Sequence, residues 1–148
     1  ISKAWTFEGR YLFHAGNYYL THRNEPLEAV RIYLRVHEEY GHDTGYMHSQ
    51  IGVAYQRMKQ SRAAERHFRL AIEREPGYDN PYHNLSSLLQ GQGRYAEAVS
   101  LSIAASELSL RNLKPLAELR GRLLGLDLPG LVERIDAELS RVKNSINK

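Results

Sequence analysis

The sequence predicts an all-α chain, a solenoid of antiparallel helix pairs, and three observations predict it. Apolar residues fall at helical spacing in Met47, Ile51, Ala54, Tyr55 and Met58 and again in Ala64, Phe68, Ala71 and Ile72, with polar residues between. Shifting the chain by 34 places sets Ile51 on Leu85, Gly52 on Ser86, Tyr55 on Leu89, Ala64 on Ala98 and Ala71 on Ala105; a period of that length marks stacked structural units. Small residues stand at Gly52, Ala64 and Ala71, where a helix ordinarily carries bulk. Two helices joined by a short turn approach closely only where one backbone offers little side chain. A glycine inside a helix costs about 1 kcal/mol against alanine, so packing at Gly52 has to offset that cost.

Taken in order, residues 1–43 read as a divergent N-terminal hairpin or cap. Ser2 to Thr21 predicts an extended or broken helix carrying Trp5, Phe7, Tyr11, Phe13, Tyr18 and Tyr19. Such an end either caps the array or meets a neighbouring domain or subunit, because terminal repeats otherwise need a polar outer face. Gly16 and Tyr19 stand for Gly52 and Tyr55, and Ala29, Tyr33 and Val36 for Ala64, Phe68 and Ala71, if the intervening turn is a residue or two longer. Residues 45–78 form the clearest repeat. Lys59-Gln60-Ser61 makes its turn, with Ser61 a candidate cap, and Pro76 ends its second helix while Gly77 allows a left-handed exit. Residues 79–112 form the next, opening at Asp79-Asn80-Pro81 with an N-cap candidate and a proline suited to a first turn, and divided by Gly91-Gln92-Gly93. Residues 113–142 read as a degenerate copy and C-terminal cap: Leu116, Leu119, Leu123, Val132 and Leu139 keep the pattern, whereas Arg120 and Asp136 break it. Its last helix starts at Leu128-Pro129-Gly130 with Leu131, Ile135 and Leu139 as one stripe, and residues 143–148 follow as a tail. About eight helices result.

Composition limits the chemistry. At 148 residues the chain is long enough for a single domain with a substantial core. It has no cysteine, which removes disulfides, thiol nucleophiles and cysteine-bound zinc and leaves the compartment open. No run approaches the roughly 20 apolar residues that cross a bilayer, so membrane insertion is not expected and the chain reads as soluble. The opening Ile-Ser-Lys-Ala-Trp is no signal peptide and lacks an initiator methionine, as an excised domain or processed product would. Twenty basic residues against 17 acidic ones give a net charge of +3, too balanced to be a nucleic-acid footprint.

The spacing Ile51-Gly52-x-x-Tyr55, followed by Ala64-x-x-x-Phe68, Ala71 and Pro76, resembles the tetratricopeptide repeat. His48 takes the usual tryptophan position. The match is nearly complete over 45–78, good over 79–112 apart from Ser86 and Ser102, and weak on both sides. The resemblance implies a right-handed superhelix whose first helices line a concave groove that holds an extended peptide or a partner's helix. By the family pattern the groove falls on Tyr46, Ser49, Gln50, Val53, Gln56 and Arg57 in one repeat and on Asn80, His83, Asn84, Ser87 and Gln90 in the next, with Lys114 beyond. These are mostly polar and uncharged, which suits hydrogen bonding to a peptide backbone; each alone also reads as solvated helix surface. The clamp for a C-terminal carboxylate found in some family members is not reproduced: Asn84 and Lys114 match it, but Ser49, Val53 and Glu118 do not.

Other constellations are weaker. The densest histidine cluster, His37-Glu38-Glu39-Tyr40-Gly41-His42-Asp43, straddles a helix end and lacks the i, i+4 pair of a helical zinc site, so it reads as ordinary polar residues. No phosphate loop, Gly-x-Ser-x-Gly or metalloprotease motif occurs, and no cofactor is implied. Arg62, Arg66 and Arg69, with Lys59 and Arg74 near the ends, form a basic stripe interleaved by Glu65, Glu73 and Glu75, the pattern of a solvated outer face. The expected function is a non-catalytic scaffold for a protein or peptide partner. The alternatives are a nucleic-acid or phosphoprotein binder using the outer arginines, and an accessory domain of a larger enzyme.

Overall fold

The computed structural model describes residues 6–147, which fold into eight α-helices with no strand among the described residues. They are α1 (Phe7–Thr21), α2 (Pro26–Tyr40), α3 (Gly45–Arg57), α4 (Ser61–Arg74), α5 (Asn80–Gly91), α6 (Tyr95–Leu108), α7 (Lys114–Gly125) and α8 (Pro129–Ile146). They run as four helical hairpins and divide into two compact units, one ending at Pro81 and the other beginning at Tyr82. Trp5 and the start of the expected N-terminal helix lie outside the described residues. Within them α1 is not extended: Thr6 caps it, its hydroxyl accepting the Gly9 N–H at 3.4 Å, and its 15 residues equal those of α2.

All four hairpin turns share one design. A residue with positive φ sits at the same place in each: Asn24 (53°), Lys59 (61°), Gly93 (73°) and Asp127 (54°). The next residue's N–H then reaches back to the end of the first helix, from Gln60 to Tyr55, Arg94 to Leu89 and Leu128 to Leu123. In the first hairpin the same bond runs from Glu25 to Tyr19, one residue longer, as the looser alignment of the N-terminal hairpin requires. The turn's own backbone bonds do the work of a cap, and none of the second helices has a side-chain cap. Ser61 is therefore not the cap of α4. Lys59 takes the left-handed conformation, Gln60 becomes the cap residue, and Ser61 is already inside the helix.

Two further expectations are corrected. Gly77 does not exit left-handed, because the Glu75-Pro76-Gly77-Tyr78 turn closes by a Tyr78 N–H to Glu75 carbonyl bond without a positive φ there. Residues from Lys143 are not a tail up to Ile146; α8 continues through them, held by Val142, which is fully buried.

The small residues explain the hairpin crossings. A Cβ at Gly52 would lie 2.6 Å from two ring carbons of Phe68, and one at Gly16 would lie 2.8 Å from the ring of Tyr33. Both aromatic rings are fully buried, so α1 and α3 each accept a ring of the following helix against bare backbone. At the matching place in α5 and α6, Ser86 replaces the glycine and Ser102 the ring. The two hydroxyls meet at 2.7 Å, and Ser86 also donates to the Ala98 carbonyl at 2.8 Å. In α7 and α8 the pair is Arg120 and Asp136, joined by two bonds of 2.5 and 3.2 Å. The residues that break the sequence pattern are thus each other's partners.

Each unit has its own core. In the first, Leu20 of α1 and Ala29, Val30 and Tyr33 of α2 pack on Met47, Ile51 and Ala54 of α3. In the second, Val99 of α6, Leu116, Leu119 and Leu123 of α7 and Val132 and Ile135 of α8 form one cluster. The stripe on α8 is therefore centred on Val132, Ile135 and Val142, with Leu131 and Leu139 half-buried at its edge.

Candidate functional site

In the first unit, the predicted groove residues of α3 are largely engaged within the fold. Gln50 donates to Asn17 Oδ1 at 3.4 Å, and the same oxygen accepts the Tyr33 hydroxyl at 2.5 Å. Burial pushes the Tyr33 hydroxyl pKa up, so it remains a donor. Arg57 Nη1 donates to the Leu20 carbonyl, and to Asn24 Oδ1 at 3.5 Å. Its guanidinium thus satisfies the end of α1, where helix carbonyls lack intrahelical partners. Val53 packs on the α1–α3 core, and Gln56 is half-buried. Ser49 is overturned as a groove residue: it stands one turn before Gly52 on the same side of α3, and the close approach there leaves it 2% exposed.

The sequence reading missed an aromatic group on this unit. The ring of Phe13 lies 5.7 Å from Tyr46 and 4.9 Å from His42, and Tyr46 lies 6.2 Å from Tyr78. Tyr78 in turn accepts a bond from Asn80 at 2.8 Å. Of these only Tyr46 and Asn80 were expected at the groove. Setting Gly16 on Gly52 places Phe13 at the position of Ser49, and that was the available signal.

In the second unit, α5 and α7 bring His83, Ser86, Ser87 and Gln90 together with Pro115, Glu118 and Arg122 around one small polar cleft. Gln90 links its two sides, donating to Ser86 at 3.2 Å and accepting from Arg122 at 2.7 Å. Its amide is thereby fixed in orientation. Ser87 is exposed and Asn84 half-buried on the same helix, while Lys114 is exposed at 3.9 Å from Glu118. His83, Ser87 and Gln90 were expected at a groove and do share this cleft. Arg122 was not expected, because it lies in the copy where the repeat pattern fades.

The histidines assemble differently from the cluster in the sequence. His37 donates from Nδ1 to the His42 carbonyl at 2.9 Å and so closes the end of α2. Asp43 turns instead to His48 at 2.6 Å and to Arg74 at 2.9 Å. Burial works to raise the Asp43 carboxyl, but the bonds from His48 and Arg74 outweigh it and hold the group below its ordinary range. His48 Nδ1 meets His67 Nδ1 at 3.1 Å, the two rings stack, and His67 stacks on Tyr55. One of the two facing nitrogens must carry the proton and the other the lone pair. Burial, then the neighbouring His48 and Arg66, lower His67 to about 4. No group of three or more metal-ligating side chains is gathered among the described residues.

On the outer face of α4, Arg69 binds Glu65 at 2.7 Å, and Arg74 binds Asp43 at 2.9 Å and Glu73 at 3.3 Å. Two members of the basic stripe therefore have their charge met locally.

Helical hairpins of one turn design, closed by one facing pair of positions, define a helical-repeat protein. Residues 46–78 and 82–115 each match a family model described as tetratricopeptide repeat, and the chain belongs to the tetratricopeptide-repeat family. The structure of MamA superposes with a TM-score of 0.76 at 13% identity, covering 94% of this chain and 80% of that one. The first tetratricopeptide domain of Spaghetti (RPAP3), solved bound to the HSP90 peptide SRMEEVD, gives 0.71 at 22%, covering 80% and 93%. The Sgt2 domain from Aspergillus fumigatus gives 0.67 at 18%, covering 97% and 82%. At these identities the likeness is one of fold. No curated protein matches the sequence. No described helix is long and apolar enough to cross a membrane.

Proposed function

We propose that this protein is a non-catalytic interaction scaffold that holds a peptide segment or partner helix along its first helices. The observation that carries the reading is the polar cleft of α5 and α7. Its hydroxyls and its amide stand on α5, with Ser102 of α6 behind them, opposite Glu118 and Arg122 of α7, and Gln90 is held in one orientation by Ser86 and Arg122. An amide fixed in this way is pre-organised to meet backbone N–H and C=O groups of a ligand. The peptide complex of the RPAP3 domain supports the class of partner, since that fold neighbour is bound to a peptide. It does not extend to the same peptide, because the carboxylate clamp is not matched and Lys114 lies beside Glu118.

The test uses partners captured on the intact protein. Asn84→Ala removes a donor and acceptor from α5; losing such a group costs about 1–3 kcal/mol when desolvated. Binding should weaken roughly five- to a hundred-fold with helical content unchanged. Arg66→Ala on the outer face should be nearly silent. Raising ionic strength should barely alter binding by neutral amides, whereas phosphate binding by the arginine stripe would fall steeply. If Arg66→Ala abolishes binding and Asn84→Ala does not, the outer stripe is the working surface.

A further inference from the structure

The outer face of α1 is built as a helix-packing surface. Phe7, Tyr11 and Tyr18 are 77, 67 and 51% exposed, and with the exposed His14 they follow one another at steps of four, three and four. That is the spacing of a seam between two helices. Depressions open between them. One is bordered by Phe7, Arg10, Tyr11 and His14, and the next by Tyr11, His14, Ala15 and Tyr18 with Tyr19 at its rim. Each is a set at i, i+3, i+4 and i+7, the four-residue hole that receives a knob from a facing helix.

The chain itself shows what such a face does. With Gly16 set on Gly52, Tyr11, Ala15 and Tyr18 take the places of Met47, Ile51 and Ala54. In α3 those three are fully buried against the preceding hairpin. The same face on α1 carries larger side chains at Tyr11 and Tyr18, a smaller one at Ala15, and no covering helix among the described residues.

We propose that this face pairs with α1 of a second copy of the chain, forming an antiparallel two-fold dimer. The stripe supplies both halves of such a contact, with aromatic knobs at Tyr11 and Tyr18 and a low floor at Ala15 between them. A two-fold pairing needs this self-complementarity, since one patch must meet itself. His14 stands at the middle of the helix, near the two-fold axis, so that Tyr11 of one copy comes beside Tyr18 of the other. The antiparallel arrangement also sets each helix dipole against the opposite end of its neighbour. Size sets the strength. Three aromatic side chains of roughly 150–250 Å² each, exposed by half to three quarters, offer on the order of 400 Å² per copy, about half of what a standard interface takes from each partner and in the range of weak, transient contacts. The dimer is a weak, micromolar one.

Sedimentation equilibrium of the intact chain from low to several hundred micromolar should show a monomer–dimer equilibrium. Tyr11→Glu and Tyr18→Glu should each raise the dissociation constant at least tenfold with unchanged circular dichroism, since both residues are exposed. Leu124→Glu, at another exposed apolar residue, should leave it unchanged. The chain has no cysteine, so His14→Cys should form a disulfide-linked dimer under mild oxidation faster than Leu124→Cys. A chain that stays monomeric throughout overturns the proposal and leaves the face to a different partner or to a further helix of a longer protein. So does a dimer indifferent to both glutamates, or crosslinking through Leu124→Cys as fast as through His14→Cys.

Discussion

The hairpins α3/α4 and α5/α6 close the same crossing with opposite chemistry. In the first, Gly52 clears a socket and Phe68 fills it; in the second, two serines of similar size meet by a hydrogen bond. Burying a phenyl ring stabilises by about 1.5–3 kcal/mol, whereas a hydrogen bond exchanged with water contributes about 0.5–1.5 kcal/mol. The repeat therefore fixes which two positions face one another. It does not fix what they are. A change on one side is tolerated when the other side changes with it, and the Arg120–Asp136 pair of the last hairpin extends the rule to charge.

The largest effect should come from filling the socket. Gly52→Leu has no room, as even a Cβ lies within 2.6 Å of the Phe68 ring, and overpacking of this kind costs about 3 kcal/mol or somewhat less. Urea denaturation should show that loss. Adding Phe68→Ala should recover part of it, because residues that share one space are not additive. An unchanged midpoint for Gly52→Leu would remove the glycine from the crossing and the comparison with it.

Acid should separate the hairpins next. His67 is 8% exposed and takes no proton until about pH 4, whereas an unfolded histidine takes one near 6.5. Between those values the unfolded chain binds more protons, so stability falls as pH falls, by about 3 kcal/mol across the window. It is unaffected above pH 6.5. Folded His67 also cannot be charged alongside His48 without setting two donors face to face at 3.1 Å. In the α5/α6 hairpin the corresponding positions are Tyr82 and Leu101, so no histidine pair stands there. Unfolding of His67→Leu, measured from pH 7.5 to 4.5, should lose a large part of the slope, the remainder belonging to His42, which burial also lowers; an equal slope in the variant would place the acid sensitivity elsewhere.

How far all this was legible depends on whether a residue acts alone or in a pair. Gly52, Ala64 and Ala71 announced close helices, and the period announced stacked helix pairs, about eight helices in all, because backbone sterics act position by position. Arg120 and Asp136 read as damage, since their meaning lies in a partner sixteen residues away on the neighbouring helix. The groove suffered in the same way. Family spacing put Ser49 and Arg57 at a ligand surface, yet Ser49 is covered at the crossing and Arg57 holds the end of α1. Phe13, Tyr46 and Tyr78 gather only once α1, α3 and the turn after α4 are in place.

The serine crossing gives a smaller effect and a sharper one. Ser86→Ala leaves the buried Ser102 hydroxyl without its 2.7 Å partner and takes an acceptor from Gln90, which should cost about 1–2 kcal/mol. The double change Ser86→Ala with Ser102→Ala should cost less than the two singles together, because no hydroxyl is then stranded. Strict additivity would show that the two oxygens are not bonded.

The smallest effect belongs to Arg120 and Asp136. Their side chains are 37 and 46% exposed, so water screens the pair, and ion pairs of that kind contribute little to stability. The guanidinium holds the Asp136 carboxyl below its ordinary range, chiefly through the hydrogen bond between them. The contribution is therefore present at neutral pH and is lost only in strong acid, below the window in which His67 acts. Arg120→Ala should lower stability only slightly, by less than any of the changes above, in dilute salt, and the difference from wild type should shrink in 1 M salt, where the screening length is roughly 3 Å. Exchanging the pair, Arg120→Asp with Asp136→Arg, should restore most of what either single change removes, because the crossing requires only that the two positions match. If the exchange is as unstable as the worse single variant, the charges are being read by other groups and the last hairpin does not follow the rule of the first three.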